Sequence, residues 1–394
     1  MISGRVVLRK GREESVLRRH PWIFSGAIQQ ADAALVDGDW VEVADSHGRK
    51  LGFGHYQRGS IAVRMLAWGE IEPDKDFWDK KLAEAFKLRS AINLPSPSTN
   101  AFRMVHGEGD GLPGLIIDLY NGVAVMQAHT AGMHRSRLEI AEALHRVLGC
   151  MLQAVYYKSR GTLPGNLRQD AADEYLTGSA PTPCQMLENN CRFEVNWAEG
   201  QKTGFFLDQR ENRAKVASFG KNRIVLNAFC YTGGFSVYAL QAGALRVDSV
   251  DASEKAIEMT KTNLLLNGFD PNSNLCLADD AFDYLEQSAG KYDMIILDPP
   301  AFAKHREAKH QAVKGYQRLN ALALKGIRSE GVLATFSCSQ VIDQQLFYDT
   351  IVSAAVQSGR NIRVLAKLGQ PPDHPVSIYH PEGEYLKGLV LYVQ

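Results

Sequence analysis

The chain has 394 residues, a hydrophobic fraction of 45%, a charged fraction of 22% and a formal net charge of zero. These values exclude a disordered polyelectrolyte and a single small domain, and they predict two or three folded domains of ~100–200 residues each. With no net positive charge, any grip on nucleic acid has to come from local patches of Lys and Arg.

The N-terminus lacks the apolar core of a secretory signal, and no stretch approaches the ~20 apolar residues that span a bilayer. The six cysteines, Cys150, Cys184, Cys191, Cys230, Cys276 and Cys338, show no C-x-x-C spacing. They predict reduced thiols, no metal site and a cytoplasmic protein without a membrane partner. Residues 1–72 predict a small β-rich domain, with strands at Val6–Leu8, Trp40–Val43 and Ile61–Met65 separated by glycines. The first twenty residues are locally basic, and His20-Pro21-Trp22-Ile23-Phe24 follows them. Cations beside aromatics suit a phosphate backbone with unpaired bases, so Arg9, Lys10, Arg18, Arg19 and Trp22 are the candidate RNA-binding residues.

Residues 73–184 predict a central α+β domain: a helix from Asp76 to about Ser90, strands over 115–119 and 123–127, a helix over 134–148 and a strand over 154–158. The Gly178–Pro183 stretch, rich in turn formers, marks its end. Residues 185–394 alternate strands with helices. Strands are expected at 224–227, 247–251, 275–278, 292–297 and 331–336, with two more at 362–366 and 387–393. That alternation predicts the overall fold class, α/β, with a Rossmann-like, mostly parallel sheet in the last domain.

Four segments fall at the carboxyl ends of those strands, the edge where open α/β sheets bind ligands. The first is Asn227-Ala228-Phe229-Cys230-Tyr231-Thr232-Gly233-Gly234, just before a helix N-terminus. Asp251 ends the next strand, where an acid accepts hydrogen bonds from ribose hydroxyls. The loop lacks G-x-G-x-x-G, so S-adenosylmethionine fits better than a dinucleotide. Asp279 and Asp280 end the third strand. Asp280 is favoured for an adenine amino group and Asp279 for the helix N-cap. The predicted cofactor set is Asn227, Phe229, Tyr231, Thr232, Gly233, Gly234, Asp251, Ala252, Asp279, Asp280 and Asp298. The third segment, Asp298-Pro299-Pro300, ends an apolar run in a stiff loop. The fourth, Phe336-Ser337-Cys338-Ser339, brings a thiol to the same edge. C5 of a pyrimidine is a poor nucleophile, and a thiolate added to C6 makes it reactive, so Cys338 is the candidate catalytic nucleophile. Asp298 is the second catalytic candidate, because a carboxylate at this edge can accept from an amino group of a base. The other cysteines, Cys230 included, are expected to be small buried or loop side chains.

With these segments in hand, the chain resembles the bacterial large-subunit ribosomal RNA cytosine-5 methyltransferases that carry an N-terminal PUA domain. Further marks of the resemblance are Arg18–Gly26, Glu108-Gly109-Asp110-Gly111-Leu112-Pro113-Gly114, Lys202-Thr203-Gly204-Phe205-Phe206-Leu207-Asp208-Gln209-Arg210 and Asp373-His374-Pro375. The resemblance implies a PUA module for RNA, S-adenosylmethionine as cofactor, large-subunit ribosomal RNA as partner, Cys338 as nucleophile and a homodimer. It also places Lys202–Arg210 in the cofactor pocket, with Phe206 and Asp208 as its candidates; spacing alone predicts a polar loop there. Many cytosine-5 enzymes carry a second cysteine after the Asp-Pro-Pro-like motif, whereas Ala301 and Phe302 stand here. A uracil-C5 methyltransferase would share the thiol chemistry. An exocyclic-amine methyltransferase would want an aromatic at Ala301. A non-catalytic RNA-binding protein would have no need of Gly233, Gly234, Asp251, Asp298 and Cys338 together.

Overall fold

The protein is described by a computed structural model, which covers residues 2–165, 167–169, 171–303 and 306–394. The chain folds into two units. One comprises Met1–Cys184, Val195–Phe205 and Pro372–Gly383; the other comprises Gln185–Glu194, Phe206–Pro371 and Glu384–Gln394.

In the first unit, β1 (Gly4–Leu8), β2 (Trp22–Phe24), β3 (Ile28–Ala31), β4 (Trp40–Ala44), β5 (Lys50–Tyr56) and β6 (Ile61–Trp68) form a sheet in the order β2-β6-β5-β4-β1-β3. Val6, Leu8, Ile23, Val41, Val43, Val63 and Met65 bury its core face. The expected strands at β1, β4 and β6 are present. β5 is harder to read in the sequence because Gly52 and Gly54 interrupt its pattern. A Cβ at either would collide with the backbone carbonyl of Ala67 or Arg64, so glycine is what lets β6 pair there.

A second sheet follows the order β11-β10-β9-β8-β7. Its strands are β7 (Ala101–His106), β8 (Leu115–Tyr120), β9 (Val123–Ala128), β10 (Ala154–Tyr157) and β11 (Glu174–Thr177). Helices Phe77–Ala91 and Arg137–Leu148 share its core through Trp78, Leu82, Ile140 and Leu144. Beside that core lies a buried ionic cluster. Arg89, fully buried, pairs with both oxygens of Asp110 and donates to the Asp373 carbonyl at 2.7 Å. The Asp373 carboxylate accepts the Arg103 amide at 3.0 Å, and Arg103 grips Asp118 at 2.7 and 2.8 Å. Thr203 donates to Asp118 at 2.6 Å. Gly109 lies against the Pro375 carbonyl so closely that a Cβ has no room. The Glu108–Gly114 and Asp373–Pro375 motifs are thus one scaffold, holding each other by saturated buried charges.

In the second unit, β12 (Cys184–Glu188) pairs with β13 (Cys191–Val195). The main sheet is built from β14 (Ile224–Ala228), β15 (Arg246–Asp251), β16 (Cys276–Ala278), β17 (Met294–Leu297), β18 (Gly331–Ser337), β19 (Ile362–Gly369) and β20 (Lys387–Val393). Their order is β16-β15-β14-β17-β18-β20-β19, parallel except where β20 runs antiparallel to β18 and β19. The α/β expectation holds, and all seven expected strands are present. Helices Lys309–Gly326 and Gln344–Ser358 were not readable in the sequence. The buried face of the first carries Ala312, Asn320 and Ala323 among its larger apolar residues, which blurs a helical hydrophobic repeat. Among the described residues, no helix is long and apolar enough to cross a membrane.

Candidate active site at the carboxyl edge of the parallel sheet

The register of the five parallel strands sets the site. Leu297 pairs with Thr335 and with Ala228, Ala228 with Val250, and Asp251 with Ala278. Each strand's next residues therefore emerge side by side: Asp279 after β16, Asp251 at the end of β15, Phe229–Gly233 after β14, Asp298 after β17 and Cys338 after β18. Parallel pairing turns five distant sequence segments into one row.

The loop after β14 is held in an uncommon conformation. Phe229 (φ 60°), Tyr231 (φ 48°) and Gly233 (φ 78°) all have positive φ, which for the two aromatic residues is strain of the kind that clusters at functional sites. Asp251 fixes it: one carboxylate oxygen accepts the Tyr231 amide at 2.9 Å and the other accepts the Ser253 amide at 3.0 Å. At Gly233 a side chain would also strike Thr260. Thr232, Gly233 and Gly234 are buried, Phe229 and Tyr231 half-buried, and Ala252 exposed. Asn227 is fully buried and donates to Ser236 at 2.8 Å, tying the strand to the following helix. Its side-chain oxygen has no hydrogen-bond partner.

At the third strand the helix N-cap is Asp280, not Asp279 as expected. Asp280 is the N-cap of Ala281–Gln287, accepting the Phe282 and Asp283 amides at 2.8 and 3.2 Å. An Asp immediately before the first helical residue is the one that can reach those amides. Among the described residues, Asp279 accepts only the Asp280 amide, at 2.8 Å, through one oxygen.

The Phe206–Arg210 stretch, a polar loop by spacing, includes the short 3-10 turn Leu207–Gln209. Arg213, paired with the buried Glu188 at 2.7 and 2.8 Å, donates to the Phe206 carbonyl at 3.1 Å. The Phe206 ring meets Tyr231 edge-on, with centroids 5.1 Å apart. Asp208 accepts the Tyr385 hydroxyl at 2.7 Å through one oxygen, while its other oxygen is buried without a partner among the described residues. Gln209 donates to Asp298 at 3.0 Å. Burial, with the Asp208 charge nearby, pushes the Asp298 carboxyl up to about 7. Gln209 and Tyr385 are participants that sequence reasoning missed; they become visible only once the chain is folded.

Cys338 is half-buried, two residues before a pinned turn. Ser339 donates to the Ala303 carbonyl at 2.9 Å, and Lys387 donates to the carbonyls of Ser339 and Ile342 at 2.7 and 2.5 Å. Burial lowers the Lys387 ammonium to about 8, against the opposing pull of the Cys338 charge. A cation beside a thiol favours the thiolate. Lys387 was read only as the first residue of a strand; its partner across the sheet is Ser337. The other thiols near the sheet are shielded: burial raises Cys276 to about 11 and Cys230 well above its ordinary value.

In the first unit, Arg9, Lys10, Arg18 and Arg19 are exposed, whereas Trp22 is half-buried, donating to Glu108 at 2.8 Å and lying 4.4 Å from the His380 ring. The aromatic open to solvent on that segment is Phe24, 51% exposed.

The residues present suit S-adenosylmethionine: an orphaned carboxylate oxygen at Asp208 for an ammonium, Asp251 for ribose hydroxyls, and aromatic faces at Phe206, Phe229 and Tyr231. Residues 102–385 match the family of S-adenosylmethionine-dependent methyltransferases, and residues 6–68 match a PUA-like domain. Two solved structures share the fold over 100% of both chains at 22% identity. One is a methyltransferase complexed with SAH (TM-score 0.85), the other a SAM-dependent methyltransferase from Streptococcus mutans (TM-score 0.83). The protein is an S-adenosylmethionine-dependent methyltransferase with an N-terminal PUA-like domain. Ribosomal RNA large subunit methyltransferase I of Alteromonas mediterranea is 39% identical over 100% of this chain and 99% of its own, and that of Escherichia coli is 35% identical over 100% of both. The chain belongs to the ribosomal RNA large subunit methyltransferase I family.

Proposed function

We propose that this enzyme methylates C5 of a cytosine in large-subunit ribosomal RNA, with Cys338 as the covalent nucleophile. The relatives' names supply the RNA. The observation that carries the chemistry is a half-buried thiol next to Lys387, at the strand end adjacent to Asp298. Bound S-adenosylmethionine supplies an electrophilic methyl group at this edge. Asp208, Asp251 and Asp279 hold its polar groups, and Phe206, Phe229 and Tyr231 its apolar surface. The Cys338 thiolate adds to C6, forming an S–C6 bond and placing an electron pair on C5. C5 would take the methyl group as the donor's sulfonium–methyl bond breaks and its electron pair stays on the sulfur; the C5 proton passes to water, and the C5=C6 bond re-forms as the S–C6 bond breaks and frees the thiolate. Asp298, as carboxylate, accepts from the N4 amino group and favours cytosine over uracil. The target base has to leave its stack, which costs a few kcal/mol, roughly, and less in an unpaired loop. Naked ribosomal RNA is therefore the better substrate than a finished subunit.

Residues 1–72 contribute RNA affinity through Arg9, Lys10, Arg18 and Arg19, residues 73–184 form the middle domain, and 185–394 carry out transfer. The enzyme works in the cytoplasm as a homodimer, which light scattering on the purified protein checks. The decisive experiment incubates ribosomal RNA from cells lacking the enzyme with methyl-labelled cofactor and either the wild-type protein or Cys338→Ala. Labelled 5-methylcytidine, lost by at least about a thousandfold in Cys338→Ala with an unchanged Tm, is expected. Labelled 5-methyluridine overturns the substrate, and an active Cys338→Ala protein overturns the covalent mechanism.

A further inference from the structure

Away from the active site, within the first unit, one histidine is unusually poorly served. His380 is 3% exposed, yet among the described residues neither ring nitrogen has a hydrogen-bond partner. An imidazole buried in that way forfeits its hydration without replacement. Two other ligand-type side chains stand beside it. His20 Nε2 and His380 Nε2 each lie 3.9 Å from a carboxylate oxygen of Glu382. The two imidazole centroids are 5.5 Å apart. One donor atom from each of the three residues lies within 4.8 Å of the other two.

We propose that His20, His380 and Glu382 form a divalent-metal site suited to zinc. Two imidazoles and a carboxylate are a zinc donor set, with water completing the tetrahedron. Donors bound at ~2.0–2.2 Å stand ~3.3–3.6 Å apart around a tetrahedral ion. The donor atoms lie within 4.8 Å of one another, so closing around an ion draws them together by ~1 Å, and the Glu382 side chain, 57% exposed, is free to supply the carboxylate's share of that movement. His20 is already oriented. Its Nδ1 lies 3.1 Å from both the Trp22 amide and the Trp22 carbonyl; the ion selects the tautomer in which Nδ1 donates to the carbonyl, leaving the Nε2 lone pair for the cluster. Ligating histidines are commonly fixed by such a bond. Trp22, anchored on Glu108, covers the His380 ring and keeps that side of the site dry. The ion would join the turn before β2 to the Pro372–Gly383 segment, so its role is to staple two ends of the chain in one unit. Binding only the folded state, it raises stability.

The test uses the full chain, stripped with a chelator and titrated with Co²⁺, then Zn²⁺. Expected are one cobalt per chain with visible d–d bands, no thiolate charge-transfer band, displacement by zinc, and a zinc-dependent rise in Tm. Glu382→Gln and His20→Ala should each weaken cobalt binding by at least about tenfold with an unchanged circular dichroism spectrum. These two variants carry the test because replacing the buried His380 can unfold its surroundings. No cobalt binding, binding with a thiolate band, or binding unchanged in both variants overturns the proposal.

Discussion

Two clusters of carboxylates, one in each unit, are partnered in opposite ways. Around Asp110, Asp118 and Asp373 the partners are Arg89, Arg103 and backbone amides, and the charges are matched. Around Asp208 and Asp298 the hydrogen-bond partners are the neutral Tyr385 and Gln209, one Asp208 oxygen has none, and the Asp298 carboxyl is driven up to about 7. As sequence motifs, Glu108–Gly114 and Asp298-Pro299-Pro300 look alike, each an acid among glycines or prolines at a turn. What separates them is saturation. A carboxylate whose oxygens are all engaged builds the fold, whereas one left short of partners is available to a ligand.

The sharpest way to break that contrast is at Arg89. Arg89→Met leaves Asp110 buried and unpaired, and the expected cost is ~3–5 kcal/mol of folding stability. Urea titration reads it directly. Methyl transfer per folded molecule should stay near wild type; a large loss of turnover with intact stability would place this cluster in the chemistry instead.

Asp251 tests the limit of that contrast, because each of its oxygens already accepts one backbone amide and ribose would have to share them. Asp251→Ala removes both the anchor of the strained Tyr231 amide and the proposed ribose acceptor. A loss of ~1.5–3 kcal/mol, ten- to hundredfold in the cofactor Kd by calorimetry, is expected. An unchanged Kd sinks the ribose assignment.

Much of this edge was legible in the sequence because β14, β17 and β18 are largely apolar runs that each stop at a chemically distinct segment. Ile295-Ile296-Leu297 before Asp298 is the clearest case, and the fully buried β18 before Cys338 another. What escaped was whatever depends on contacts between distant segments. Lys387 reaches the Cys338 turn only through antiparallel pairing of β18 with β20, and Gln209 meets Asp298 across a long stretch of sequence. Likewise, nothing local in Glu108–Gly114 reveals that Gly109 must admit the Pro375 carbonyl.

Asp298 sharpens the contrast through pH. Its carboxylate is the form that accepts from N4, and its value near 7 means activity rises through neutrality. The kcat/KM at pH 6 should be about tenfold below its plateau. Asp298→Asn should be less active at every pH and lack this limb. The sign for stability is the reverse. Burial raises this carboxyl, so protonation favours the folded state. Its contribution is full below the unfolded value of ~3.9 and lost as pH rises through about 7. A Tm that falls over that interval in the wild type, and less so in Asp298→Asn, checks it.

The smallest expected effect separates two neighbours. Asp280 spends its side chain on the Phe282 and Asp283 amides, while Asp279 keeps one oxygen uncommitted to any described hydrogen bond. Asp280→Ala should therefore cost ~1 kcal/mol of stability, the usual penalty for losing an N-cap, with cofactor affinity within about twofold of wild type. Asp279→Ala should do the opposite, leaving the helix intact and weakening the cofactor. If Asp280→Ala alone lowers cofactor affinity, the exposed cap residue also reads the adenine, and saturation fails as a guide at this strand end.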